Sequence, residues 1–345
     1  MKAAVLEDIQ KLVIQEVPSP QINPYQVLVK LKNCGICTLE QRLYNGDMKI
    51  YFPLVPGHET SGEIVEVGTN VISSLHPGMR VAIDLVYRCH ECYYCRSGLT
   101  NLCLNRFNKN LLILGGFSEY IAVRPDQVYP IPDTLSFEEA AFTEPVACCI
   151  HSLRKIKVSC AEDVLIIGSG PMGLMHLQVA NAMGARVFIS DPDESRLQLA
   201  KELGAFKVLN PSKIDMKEGL KDETEGRGVD ACVVTSQAHS ALYSAFEAVR
   251  KSGRVNIYTS YLEPPSLPID MNILHRNEVL VTGTEGRTEP DFQQALRLIA
   301  FEKVSVKPLI SKIVGLDDLE EGIKAAISSD TLRVLLAHEN SRQKR

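Results

Sequence analysis

Apolar positions change their rhythm along this chain. From residue 2 to about 146 they come in short runs, 27–31, 62–67 and 80–85 among them, separated by turn-forming Pro and Gly, which predicts a mostly β region. After Glu144 the rhythm becomes apolar run followed by amphipathic stretch. Strands over 164–167 and 187–190 alternate with helices over 173–183 and 194–203, and a second series covers 231–235, 238–249, 253–258 and 279–282. Such alternation predicts βαβ units and a parallel sheet with helices packed on it. Near residue 285 the rhythm shifts again, to a helix over 292–300, the run VSVKPLI, a helix over 316–327 and a last strand over 333–337. This closing piece can complete the first region, and the polar, basic tail HENSRQKR is expected to fray.

Composition narrows the function classes. The 345 residues suffice for two domains, and 45% apolar with 23% charged residues describes an ordinary globular chain rather than a disordered or fibrous one. A net charge of -5 argues against a nucleic-acid partner, which requires a basic stripe. The start MKAAVLEDIQ places acids where a secretory signal needs an apolar core, and no run approaches the ~18 apolar residues of a membrane helix. A cytoplasmic protein without a membrane partner is expected. In that setting ten cysteines read as metal ligands and small buried hydrophobes rather than disulfides.

The run GSGPMG, Gly168 to Gly173, stands directly after VLII and directly before a helical pattern. Gly168 permits the tight turn, Gly170 lets a pyrophosphate approach the backbone, and Gly173 lets the helix pack close to the strand; Pro171 and Met172 begin that helix. Asp191 ends the next strand and can accept hydrogen bonds from both ribose hydroxyls, which favours NAD over NADP, with Arg196 placed to flank the adenine. The competing reading makes Asp191 a helix N-cap.

Cys89, Cys92, Cys95 and Cys103 follow the spacing C-x2-C-x2-C-x7-C, short enough for one loop to wrap a tetrahedral ion. Four thiolates close the coordination sphere, so a zinc here is structural; disulfides and an iron-sulfur cluster are the alternatives. His90 inside the loop reads as an exposed bystander. A second cysteine pair, Cys34 and Cys37 in CGICTLEQR, fits a redox pair, two metal ligands, or one ligand beside a packing thiol.

Taken together, CGIC, GHETSGEIVEVG at 57–68, the four-cysteine loop, GGFSEY, TEPV, GSGPMG, GRGVD and VKPLI cover nearly the whole chain and resemble the zinc-dependent medium-chain dehydrogenase/reductase family, most closely its polyol, sorbitol-like branch. The resemblance implies a GroES-like, mostly β catalytic domain (1–147 and 286–345, with a structural-zinc lobe at about 86–104) and a Rossmann, doubly wound parallel-sheet coenzyme domain (148–285). It implies one catalytic and one structural zinc. Cys37, His58 and Glu59 correspond to ligands of the catalytic zinc, and Glu144 to a carboxylate that binds it directly or through its water. Cys34 falls at a packing position, and Cys148, Cys149, Cys160 and Cys232 are expected to be buried thiols. The implied chemistry is oxidation of a secondary alcohol of a polyol, sugar or cyclitol with hydride transfer to NAD; a phosphorylated polyol, threonine, a simple alcohol or an inactive dinucleotide-binding relative are the alternatives.

The chain departs from the family after Cys37. Leu39 stands where a relay hydroxyl is usual, Arg42 where a histidine is usual, and Glu40 replaces an Asp that supports the zinc-bound histidine. Thr38 can take over the hydroxyl role, or water or Glu144 carries the proton; the second is favoured. The resemblance implies that Arg287 reaches substrate hydroxyls, with Tyr44 expected to line the same cleft; separately, with Trp absent and 6% aromatic residues, a polar, multihydroxyl substrate fits best. A homodimer or homotetramer formed through the edge of the Rossmann sheet is the family expectation.

Overall fold

A computed structural model of the protein describes residues 1–48, 51–106, 114–263, 270–328 and 330–338; the tail beyond His338 lies outside them. The chain divides into two compact units. One comprises Met1–Pro145, Thr288–Phe301 and Val306–Arg345, the other Val146–Arg287 and Glu302–Ser305. The first break falls inside the helix Thr143–Lys155, two residues before the expected position. Glu302–Ser305 joins the second unit because Gln178 brackets Ser305, donating to its carbonyl at 3.0 Å and accepting from its amide at 2.7 Å.

The first unit is built on a seven-stranded sheet in the order Ile310–Val314, Arg333–Ala337, Val27–Ile36, Glu59–Val67, Arg80–Asp84 and Val128–Pro130, with Tyr120–Val123 also pairing Val27–Ile36. The pairs are antiparallel except the first. Val27–Ile36 is the strand that positions the site. Its first half alternates buried Val27, Val29 and Leu31 with half-buried residues, whereas Asn33 to Ile36 are buried throughout, lying between Glu59–Val67 and Arg333–Ala337. Alternation predicted only 27–31, because a segment covered on both faces loses the period-2 signal. Leu43, Leu319, Ile323 and Leu336 pack with Cys34 and Ile36 in one apolar cluster, while Val29, Ile64, Ile83 and Ile121 form another.

The second unit is a six-stranded parallel sheet ordered Lys207–Leu209, Arg186–Ser190, Asp163–Ile167, Val229–Val234, Val249–Ile257 and Leu280–Gly283. That order reverses at Asp163–Ile167, the doubly wound arrangement whose strand ends bind dinucleotides. GRGVD serves the opposite ends of the strands: Arg227 and Arg186 both pair with Asp163, and Arg250 with Asp230. Cys232 is buried in this unit, as are Cys148 and Cys149. Cys160 is exposed, contrary to the expectation, because it lies in a tight turn where Lys157 and Ala161 take positive φ.

Candidate active site

Where the strand Val27–Ile36 ends, Cys37 becomes the N-cap of the helix Thr38–Asn45. Glu40, in the first turn, carries a carboxyl group yet is 1% exposed, and three contacts explain why it is tolerated. Its Oε2 accepts from the Cys37 amide at 2.9 Å, and its Oε1 accepts from the Gly57 amide at 3.3 Å and lies 2.7 Å from His58 Nδ1. One carboxylate thereby ties together the backbones that carry Cys37 and His58. It also fixes the proton of the neutral imidazole on Nδ1, which leaves Nε2 as the ligand atom. Glu144, at the start of Thr143–Lys155, places Oε1 3.9 Å from that Nε2. Glu59 opens the strand Glu59–Val67, and the ligating atoms of Cys37, His58 and Glu59 all lie within 4.8 Å of one another.

Arg333 completes the cluster and was missed in the sequence. Its guanidinium, 5% exposed, lies 3.2 Å from Glu59 Oε1 and donates to the Ile36 carbonyl at 3.1 Å. The available signal was a cation opening the apolar run RVLLA. Burial pushes the Glu59 carboxyl up to about 6 against the pull of Arg333, with Glu144 adding to the rise. Around His58, burial opposes the imidazolium, but Glu40, Cys37 and Glu144 outweigh it and hold the ring well above its ordinary 6.5. A thiol, an imidazole and carboxyl groups thus converge on one buried point. Glu59 Oε1 is buried and meets Arg333 as an ion pair without hydrogen-bond geometry, which leaves it capacity for a further partner. A thiolate, an imidazole and a carboxylate in this setting fit zinc with a coordination position left open. Thr38 is exposed and Leu39 packs on the apolar cluster, so neither reproduces a relay hydroxyl inside the site.

The four-cysteine lobe has the geometry of a closed site. Cys89 Sγ lies 3.5 Å from Cys103 Sγ and 3.9 Å from Cys95 Sγ, and all four sulfurs fall within 4.8 Å of one another. A tetrahedral zinc with bonds of about 2.3 Å separates its sulfurs by about 3.8 Å. Backbone amides of Glu91 and Cys92 hold the Cys89 thiol down to about 6, whereas burial and the neighbouring thiols push Cys95 up to about 12, a crowding that a divalent cation relieves. His90 points outward, its Nε2 3.3 Å from Asp126.

In the second unit the glycine-rich turn follows the strand Asp163–Ile167. Gly168 has φ +106°, and a Cβ at Gly173 would fall 1.8 Å from the Gly168 carbonyl oxygen, so neither position admits a side chain. A Cβ at Gly170 would meet nothing within 4 Å, the open space that a pyrophosphate at the N-terminus of Pro171–Ala182 requires. Asp191 is held by the amides of Ser169 (2.7 Å) and Asp193 (2.9 Å). The N-cap of Glu194–Glu202 is Asp193, not Asp191, so the capping alternative fails. Arg196 is half-buried on that helix, and Arg287 is 5% exposed. Tyr44 departs from the expectation: its ring belongs to the apolar cluster, and its hydroxyl donates to Glu320 at 2.7 Å. That burial follows from the helical spacing of Leu43 and Tyr44, which face the helix Leu319–Ile327.

Comparison with known proteins agrees with this construction. Residues 23–133 match the alcohol dehydrogenase GroES-like domain, and residues 171–300 match the zinc-binding dehydrogenase domain. An alcohol dehydrogenase of Geobacillus stearothermophilus is 37% identical, over 92% of this chain and 95% of its own. A sorbitol dehydrogenase of Bacillus subtilis is 32% identical over 97% of each chain. A crystal structure of a zinc-binding dehydrogenase from Sinorhizobium meliloti, bound to NADP, superposes with a TM-score of 0.91 at 28% identity, covering 97% of this chain and 98% of that one. With two domain models matched in chain order and full-length relatives above 30% identity, the chain belongs to the zinc-dependent medium-chain dehydrogenase family, on its polyol branch.

Proposed function

We propose that this protein oxidises a secondary alcohol of a polyol, sugar or cyclitol to the ketone, reversibly, with NAD as hydride acceptor and zinc at the Cys37 site. The observation that carries the reading is the convergence of Cys37, His58 and Glu59, with Glu144 beside them, on one buried point. Zinc, when bound, supplies Lewis acidity toward the alcohol oxygen, and the dinucleotide takes the hydride. Cys37, His58 and Glu59 would hold the metal, with Glu144 joining directly or through water, while Cys89, Cys92, Cys95 and Cys103 would hold the structural ion. Glu40 keeps His58 in the ligating tautomer. With Leu39 packed away and Thr38 exposed, Glu144 or a water beside it takes the alcohol proton.

Gly168, Gly170 and Gly173 with Pro171 and Met172 would seat the pyrophosphate, Asp191 the ribose hydroxyls and Arg196 the adenine. Arg287 would meet a substrate hydroxyl. The edge strand Leu280–Gly283 leaves Leu280 66% and Val281 39% exposed, which favours a homodimer or homotetramer joined there. Among the described residues no helix is long and apolar enough to cross a membrane, and a cytoplasmic setting suits free thiolate ligands. The reading is tested by supplying purified, zinc-replete protein with NAD and a panel of polyols, cyclitols, phosphorylated polyols, threonine and simple alcohols. NADH together with a ketone from a polyol supports it. NADH from threonine or simple alcohols alone sinks the substrate class.

A further inference from the structure

Glu59 and Gly35 face each other across adjacent antiparallel strands, and Leu335 flanks Gly35 on its other side. The Glu59 carboxylate lies folded over Gly35. A Cβ at position 35 would come within 1.9 Å of Glu59 Oε2, 3.0 Å of its Cδ and 3.1 Å of its Cβ. All three nearest atoms belong to the Glu59 side chain, and Gly35 is not among the residues of positive φ, so the backbone itself makes no demand for glycine. The next strand over supplies Arg333, with Nη1 3.2 Å from Glu59 Oε1 and anchored on the Ile36 carbonyl.

We propose that Gly35 and Arg333 are positioning residues for Glu59. The bare backbone at Gly35 lets the carboxylate fold back across the central strand, Arg333 holds its outer oxygen from the far side, and the group stays within reach of Cys37 and His58. A side chain at position 35 displaces the carboxylate rather than the sheet, because a flexible side-chain end yields before two paired strands do. The inference rests on Cys37, His58 and Glu59 forming a zinc site.

The test uses the full-length protein: zinc per chain, competitive zinc affinity, and the visible spectrum after cobalt exchange, for the parent, Gly35→Ala, Glu59→Ala and the double variant. Gly35→Ala is expected to weaken the metal at the Cys37 site about 10–100-fold, the scale for an outer-sphere partner, and to shift the cobalt spectrum toward that of Glu59→Ala. In the Glu59→Ala background it adds no further loss. Arg333→Gln is expected to act in the same direction, with Arg333→Lys recovering part of the affinity. Parent-like affinity and spectrum in Gly35→Ala, or full additivity in the double variant, would overturn the proposal. Should Gly35→Ala fail to fold, the double variant decides: folding once Glu59 is trimmed supports the clash, and failure again refutes it. A parent that binds a single zinc defeats the zinc-site reading itself, and this inference with it.

Discussion

Asp191 allows a quantitative prediction about cofactor choice. Two backbone amides, from Ser169 at 2.7 Å and Asp193 at 2.9 Å, hold its carboxylate, and the side chain is 7% exposed, so it cannot swing aside for an incoming anion. The 2'-phosphate of NADP would stand beside it. At a separation of ~5 Å and an effective dielectric constant of ~20, each pair of unit charges costs about 3 kcal/mol, or roughly a 100-fold preference. The perturbation is Asp191→Asn, which keeps an oxygen for one of the amides and removes the charge. The assay is kcat/KM for NAD and for NADP with a single saturating alcohol. The parent should favour NAD by about 100-fold, and the variant should narrow that ratio by at least about tenfold, chiefly by improved use of NADP. A parent that prefers NADP, or an unchanged ratio in the variant, refutes the electrostatic reasoning.

Other consequences follow from the same contacts. Glu40→Gln should lower zinc affinity at the Cys37 site about 10–100-fold, since the amide can present NH2 to Nδ1 and release the tautomer; competition with a chromogenic chelator reads it. Thr38→Ala should leave most of kcat, and a loss beyond about 100-fold would restore the exposed hydroxyl as the proton acceptor. His176 is fully buried on Pro171–Ala182, its Nδ1 2.8 Å from the Met172 carbonyl, and burial pushes its pKa down to about 4. The unfolded chain therefore binds this proton more readily, so stability present above the ordinary His value is lost as pH falls toward 4. Between about pH 7.5 and pH 5 that loss is about 2 kcal/mol. His176→Leu should show a correspondingly smaller acid loss in denaturant midpoints, whereas equal losses would contradict it; metal release at low pH affects both proteins and cancels in the difference.

Local features were legible in the sequence. GSGPMG, the four closely spaced cysteines and His58-Glu59 each do their work within one turn or loop, so the spacing along the chain already states the geometry. Glu40 was legible through the resemblance as a support for His58, whereas its bonds from the Cys37 and Gly57 amides depend on the fold. Arg333 and Gly35 were not visible as part of the site. Their partner Glu59 lies on a different strand from either, and only sheet register brings the three together. Tyr44 was misplaced for a related reason: nearness to Cys37 in the chain suggested the site, while its place on the helix turned it toward Glu320. Residues 33–36 escaped strand prediction because burial on both faces erased the alternation on which such prediction depends.

Hydride transfer from an alcohol should depend on the Cys37, His58 and Glu59 site. Its most direct measurement is steady-state NADH formation from a secondary polyol by the parent and by His58→Ala, each with its four-cysteine zinc confirmed in place. The parent should turn over, and the variant should lose at least about a thousandfold, the scale of an essential electrostatic element. A variant that retains more than about a tenth of parental turnover would contradict it.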